Sequence, residues 1–201
     1  MIRKFLLLCI ACCSMGFNNI HQDHFKINTQ KSNIHWLGEK VTGSHEGDIF
    51  LLDGTISLDH GKLIAASLTI DMNSITNTDI ESKEYSQKLV DHLKNEDFFD
   101  VSNHPTAEFK MIYAKPSKDG FEVMGSLTIK GQTHPSTFSV KLEKEKNVLT
   151  AKGKISFDRT KYGITYGSGS FIDNLGDRAI YDEVKLEFNI IAESKTNGKH
   201  H

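Results

Sequence analysis

Cysteine is scarce in this chain, and its placement limits what it can do. The 201 residues hold three, Cys9, Cys12 and Cys13. All lie in one apolar stretch behind Met1-Ile2-Arg3-Lys4. That stretch has the layout of a secretory signal: a basic start, an apolar run too short to span a bilayer, and small residues Ser14 and Gly16 before a cut. Cleavage after Gly16 would leave a domain with no disulfide and no thiol chemistry. A rival reading places a lipid on Cys12, after Ile10 and Ala11. Residues 1–16 are therefore read as a signal peptide, 17–24 as a flexible lead and 194–201 as a disordered tail. The expected location is periplasmic or secreted, with a lipid anchor through Cys12 as the alternative.

An excess of one charge is also missing. The 24 basic and 26 acidic side chains give a formal net charge of −2. With no basic block there is no electrostatic case for nucleic acid. Signature motifs of catalysis are missing as well: there is no P-loop, no G-x-G-x-x-G and no H-E-x-x-H. Gly167-Ser168-Gly169 lies in a loop without the strand–turn–helix frame of a nucleophile elbow. His21, Asp23 and His24 near the new N-terminus, and His200-His201 at the end, read as solvated rather than metal-binding. The sequence holds no spaced nucleophile–base pair and no metal-ligand spacing. The expectation is a protein that is not an enzyme and that holds no metal and no cofactor.

What the chain does have is alternation. Along 107–113, Ala107, Phe109, Met111 and Tyr113 alternate with Glu108 and Lys110. Phe121, Val123, Gly125, Leu127 and Ile129 then face one way along 121–129. Phe138, Val140 and Leu142 do so along 138–142, and Leu149, Ala151, Gly153, Ile155 and Phe157 along 149–157. Val184, Leu186, Phe188 and Ile190 follow in the last segment. Along 63–72, Ile64, Ala66, Leu68, Ile70 and Met72 share a side. Segment 25–41 reads as a strand pair or one bent strand, with Ile34, Trp36 and Gly38 on one face. Residues 42–47 read as a turn, Asp53-Gly54 as a turn or a bulge, and His60-Gly61 as a hairpin turn. About eight such strands with short turns suit an antiparallel sandwich or a closed up-and-down barrel. The small inward residues Ala66, Ala107, Gly125, Ala151 and Gly153 leave room inside a barrel, or fit the taper of a filled one.

One stretch breaks the period of two. Tyr85, Leu89 and Leu93 recur every four residues, which marks a short amphipathic helix. Asp97-Phe98-Phe99-Asp100 and Pro105 end it. A lone helix inside a run of strands suits a lid or plug. The second irregular stretch, the Gly-rich segment 163–176, is too long for a turn and reads as a functional loop or flap.

These pieces resemble, in order and over 25–192, the YceI-like family of lipid-binding, lipocalin-like bacterial proteins. The residues that carry the likeness are Ile34-His35-Trp36 with Gly43-Ser44-His45-Glu46-Gly47, Ile70-Asp71-Met72-Asn73-Ser74-Ile75, and Lys88-Leu89-Val90-Asp91-His92-Leu93 before Asp97-Phe98-Phe99-Asp100. They continue in His104-Pro105-Thr106-Ala107-Glu108-Phe109, Gly125-Ser126-Leu127-Thr128-Ile129-Lys130-Gly131 and Phe157-Asp158-Arg159-Thr160-Lys161-Tyr162-Gly163-Ile164. The resemblance implies an all-β fold over 25–193: an extended eight-stranded antiparallel lipocalin-like barrel with one short helix inserted between strands. It further implies non-catalytic binding or transport of a long apolar ligand in the barrel interior, such as a polyisoprenoid, an isoprenoid quinone or a fatty acid or amide. The alternative is a filled barrel acting as a secreted stress or interaction protein. Alternation then nominates Trp36, Phe109, Phe121, Val123, Phe138, Val140, Phe157, Phe188 and Ile190 as pore lining. His45, Arg159, Tyr162 and Tyr166 are nominated for a polar head group at the mouth. Expected partners are the apolar ligand, a transient membrane contact and, if an apolar mouth needs cover, a second copy.

Overall fold

The computed structural model describes residues 22–194, and the leader and tail expectations fall outside that span except at its margins. The alternating segments become strands β1 (Gln22–Ile27), β2 (Asn33–Lys40), β3 (Gly43–Asp59), β4 (Lys62–Asp71), β5 (Thr106–Ser117), β6 (Gly120–Ile129), β7 (Gln132–Glu145), β8 (Val148–Asp158) and β9 (Ile180–Glu193). Hydrogen-bonded neighbours run β1-β3-β2-β9-β8-β7-β6-β5-β4, and β3 also pairs with β4. That last pairing closes the sheet on itself.

The expected eight-stranded count and the nine strands agree once β1 and β2 are placed. Both lie between β3 and β9. β2 runs beside the start of β3 and of β9, with Ile34 opposite Ile49 and Phe188. β1 runs beside their ends, with Phe25 opposite Ile56 and Lys26 opposite Glu193. They form one bent stave of the barrel, broken over residues 28–32. Buried Ser32 bridges the break: its hydroxyl donates to the Asn28 carbonyl at 2.8 Å and accepts from the Ile191 N–H at 2.9 Å. β1 begins at Gln22, so residues 22–24, expected in the flexible lead, are strand.

Three adjacent strands carry bulges. β3 shifts register against β4 between Leu51 and Asp53, β4 against β3 at Ile64, and β5 against β6 between Met111 and Tyr113. Each bulge adds one residue and so reverses which side chains face inward beyond it. Asp53-Gly54 is therefore no hairpin: it continues the strand directly after a bulge at Leu52. In β4, Leu63 rather than Ile64 points inward, and in β5 Ala114 replaces Tyr113. The turn expected over 42–47 is also shorter, because β3 already pairs with β2 from Gly43.

Helix α1 (Lys83–Lys94) opens with Ser82 as its cap, the hydroxyl accepting from the Tyr85 N–H at 3.5 Å. Lys88 and Glu84 pair one turn apart at 2.7 Å. Leu89 and Leu93 face the barrel, whereas Tyr85, expected in the same stripe, is 63% exposed. The helix lies over the end of the barrel where β2 and β8 finish and β3 and β9 begin. At the opposite end Leu149, Ala192 and Phe25 are all but fully buried, so that half is packed solid.

Candidate ligand cavity

Going up β9, burial changes character. Phe188, Ile190 and Ala192 are buried, while Ile180, Val184 and Leu186, on the same face, are only half-buried. β8 and β7 repeat this: Ala151 is buried, but Ile155, Phe157, Phe138 and Leu142 are partly exposed although they face inward. Those side chains are exposed to a cavity of about 250 Å³ that lies beneath the helix and reaches down to Leu63, Ala66 and Leu142, with an almost wholly apolar wall. Ligand pockets for small molecules run from about 300 Å³ upward, so this one is small.

Eight of the nine residues nominated as pore lining border the cavity: Trp36, Phe109, Val123, Phe138, Val140, Phe157, Phe188 and Ile190. Phe121 does not. It sits low on β6 opposite Pro116 and Val140, where the barrel is filled, and packs against the core. The glycines fit the second of the two expectations, the filled taper. A Cβ on Gly125 would stand 2.4 Å from the Phe109 ring, and one on Gly153 would stand 2.5 Å from the Phe188 ring. The room these glycines leave is taken by aromatic rings. The vacant space runs past these rings, and the lid contributes to its upper wall. Leu89 and Leu93 of α1, Phe98 and Phe99 after it, and Met72 and Ile75 before it all border the cavity. Their apolar spacing was visible in the sequence, but not which side of a lid they would occupy.

The polar nominees separate. His45 borders the cavity, and its Nδ1 lies 2.8 Å from Asp79. Burial opposes ionisation of Asp79, but the Glu46 N–H, His45 and Asn77 outweigh it and hold that carboxyl below the usual carboxylate range. Arg159 is buried and commits its whole guanidinium to the chain. Nε donates to the Tyr181 carbonyl at 3.1 Å, Nη1 to Ile164 and Tyr166 at 2.9 Å each, and Nη2 to Ile180 at 3.0 Å and Asp182 at 3.4 Å. That uses all five of its donors. It fixes the Gly-rich loop rather than presenting a charge to a ligand. Tyr162 is buried behind Phe157 and beside His134, with ring centroids 5.6 Å and 5.0 Å away. Burial pushes its hydroxyl pKa up. Tyr166 is half-exposed and stacks edge-on against His92 at 4.6 Å, tying the loop to α1. Neither tyrosine reaches the cavity wall. The polar rim consists of His45 with Glu39 and Lys40 at the end of β2, two residues that alternation gave no reason to single out. Among the described residues, no cluster of three or more His, Cys, Asp or Glu is placed to hold a metal.

Similarity to known proteins covers the whole barrel. The family model described as YceI-like domain matches residues 25–192. A UPF0312 protein of Staphylococcus epidermidis is 31% identical over 159 residues, covering 75% of this chain and 82% of that one. A UPF0312 protein of Pseudomonas aeruginosa is 33% identical, but the match spans only 44% of its length and 45% of this chain. Among solved structures, Burkholderia cenocepacia BcnA superposes with a TM-score of 0.65 at 24% identity, over 82% of this chain and 98% of that one. A polyisoprenoid binding domain from Saccharophagus degradans gives a TM-score of 0.58 at 14% identity, over 85% of this chain and 98% of that one. At those identities the two structures speak for the fold alone. The family model's span and the staphylococcal relative together establish that the chain belongs to the YceI-like domain family.

Proposed function

We propose that this protein binds one long, slender, apolar chain inside its barrel and carries it without chemical change. The candidates are a polyisoprenoid, an isoprenoid quinone or a fatty acyl chain. The observation that carries this reading is the apolar cavity beneath α1: inward side chains of three neighbouring strands stay half-exposed along its wall. The Saccharophagus degradans relative, described as a polyisoprenoid binding domain, supports the same ligand class. Glu39, Lys40 and His45 form a charged and polar edge along the described wall. A polar end group would meet them there.

The energetics suit a carrier. Burying hydrocarbon returns about 0.8 kcal/mol per methylene, so twenty carbons give roughly 16 kcal/mol gross. A bilayer returns nearly the same per methylene, so exchange between the two is close to balanced. Such a role fits an exported protein, periplasmic or secreted. The test is native mass spectrometry of the purified protein, with organic extraction and lipid analysis, beside a Leu186→Trp variant that fills the cavity. A stoichiometric apolar passenger in the natural protein and none in the folded variant is the expected result. Empty spectra for the natural protein, even after incubation with prenols, quinones and fatty acids, would reject the reading.

A further inference from the structure

The barrel wall is not hydrogen-bonded all the way round. β4 and β5 pair only from Ser67 opposite Lys110 up to Asp71 opposite Thr106. Below that rung β4 continues to Lys62 on its β3 side, and β5 continues to Ser117 on its β6 side. Over residues 62–66 and 111–117 the two facing edges pair with no strand among the described residues. A second gap, between the upper parts of β7 and β8, is treated differently. There β7 pairs only with β6 and β8 only with β9, and the 3₁₀ turn Arg159–Tyr162 covers it, with Tyr162 against His134 and Phe157.

The β4–β5 seam is built of soft, apolar parts. On its inner side Leu63 and Ala66 border the cavity, and Met111 and Ala114 pack half-buried from the other edge. Methionine has three rotatable bonds and adapts its shape readily. On its outer side stand Ile64, Ile112 and Tyr113, which are 40%, 65% and 46% exposed. Both isoleucines are bulge residues: the bulge in each edge strand turns an apolar side chain outward at the seam. The helix end is fastened by contrast. The loop is pinned by Arg159, and His92 is held between Phe98 and Tyr166 at 4.8 Å and 4.6 Å. Parting the wall at any paired position breaks ladder hydrogen bonds, and parting the seam breaks none.

We infer that the seam between the lower halves of β4 and β5 is a lateral portal, through which the apolar chain slides into and out of the cavity. This rests on the carrier reading above. The chain passes from the apolar outer lip of Ile64 and Ile112, past Met111 and Ala114, to Ala66 and the cavity floor. The polar rim under α1 then holds the chain's end and is not its route.

The test uses the full chain with Cys9→Ser, Cys12→Ser and Cys13→Ser, so that added thiols are the only ones. Ala65→Cys and Ile112→Cys, two residues beyond the last rung on each edge, are joined by a short disulfide-containing bis-maleimide. His92→Cys and Tyr166→Cys, joined the same way, lock the helix end instead. Uptake and release of cis-parinaric acid, a fluorescent fatty acid, are followed by stopped flow. Locking the seam is expected to slow both rates by about tenfold or more while leaving the equilibrium affinity within about twofold, since a portal acts on kinetics alone. Reductive cleavage of the linker restores the rates, and the helix lock leaves them unchanged. As a variant independent of cross-linking, Ile112→Arg is expected to slow uptake at unchanged affinity. The portal is overturned if the helix lock slows exchange and the seam lock does not, which leaves the carrier reading intact. It is overturned too if light scattering shows a dimer that the seam lock dissociates, because the seam is then a copy–copy interface. No binding by the unmodified protein rejects the carrier reading, and the portal with it.

Discussion

Arg159 shows how much one side chain can organise. Its guanidinium gathers four carbonyls from two ends of a loop, residues 164–166 and 180–181, and adds Asp182. Lysine keeps the charge but has three donors on a point and cannot span that fork. Arg159→Lys is expected to cost about 3–5 kcal/mol in urea unfolding, as for a buried ionic group stripped of its partners. Gly153 works by absence. A methyl there meets both the Phe188 ring and the Ser139 carbonyl at 2.6 Å. Gly153→Ala is expected to lose about 1–3 kcal/mol by overpacking, measured in the same way. His35 supplies a pH dependence. Its hydrogen bond to Asp48, reinforced by Glu46, outweighs its desolvation and raises its pKa above 6.5. A raised folded-state value means that the stabilisation is complete below the unfolded value and fades as pH rises through the folded one. The melting-temperature gap between the natural protein and His35→Gln should therefore be largest near pH 5.5 and close by about pH 8, given an unfolded histidine near 6.5. His35 is partly exposed, so the gap will be small and will shrink in salt.

At the scale of elements, the sequence was legible wherever a strand keeps one parity. β6, β8 and the second half of β9 face inward as the alternation of Val123, Ala151 and Ile190 requires. It failed at Ile64 and Tyr113, because a bulge is one extra residue in the pairing and leaves no mark on hydrophobicity. The helix was legible from Leu89 and Leu93, but Tyr85 could not be told from its neighbours, since a stripe does not say where the covered surface ends. The mouth was hardest. Arg159 and Tyr162 are polar and close to the cavity in sequence terms, yet their partners are backbone carbonyls and rings contributed from elsewhere in the chain. The fastening of α1 is itself testable. Tyr166→Ala removes ring contacts to His92 and Phe98, each worth about 0.5–1.5 kcal/mol. Amide hydrogen exchange should speed up across α1 while the strands keep their protection.

As a whole, the molecule divides its length between two tasks. The half around Phe25, Leu149 and Ala192 is a packed core, and the half beneath α1 is a container. Filling the container should therefore not weaken the fold. Leu186→Trp is expected to melt within about 2–4 °C of the natural protein, a change on the order of 1 kcal/mol at most, while losing its passenger. The division also explains why aromatic residues alone did not mark the pocket. Phe109 and Phe188 serve both halves, packing over Gly125 and Gly153 below and bordering the cavity above.

The bent stave made by β1 and β2 has a geometric corollary. Because Lys26 lies opposite Glu193, the first and last strands of the domain are zipped together at the pole remote from α1. Any tether running out from residue 22, or onward from residue 194, leaves from that pole. A bilayer gripped by such a tether would look onto the hairpins at His60-Gly61 and Lys118-Asp119 and onto the unpaired stretch of wall between β4 and β5, with the helix turned towards open solvent. For a barrel held by such a tether, orientation on a surface would follow from the strand order, whichever molecule the barrel carries.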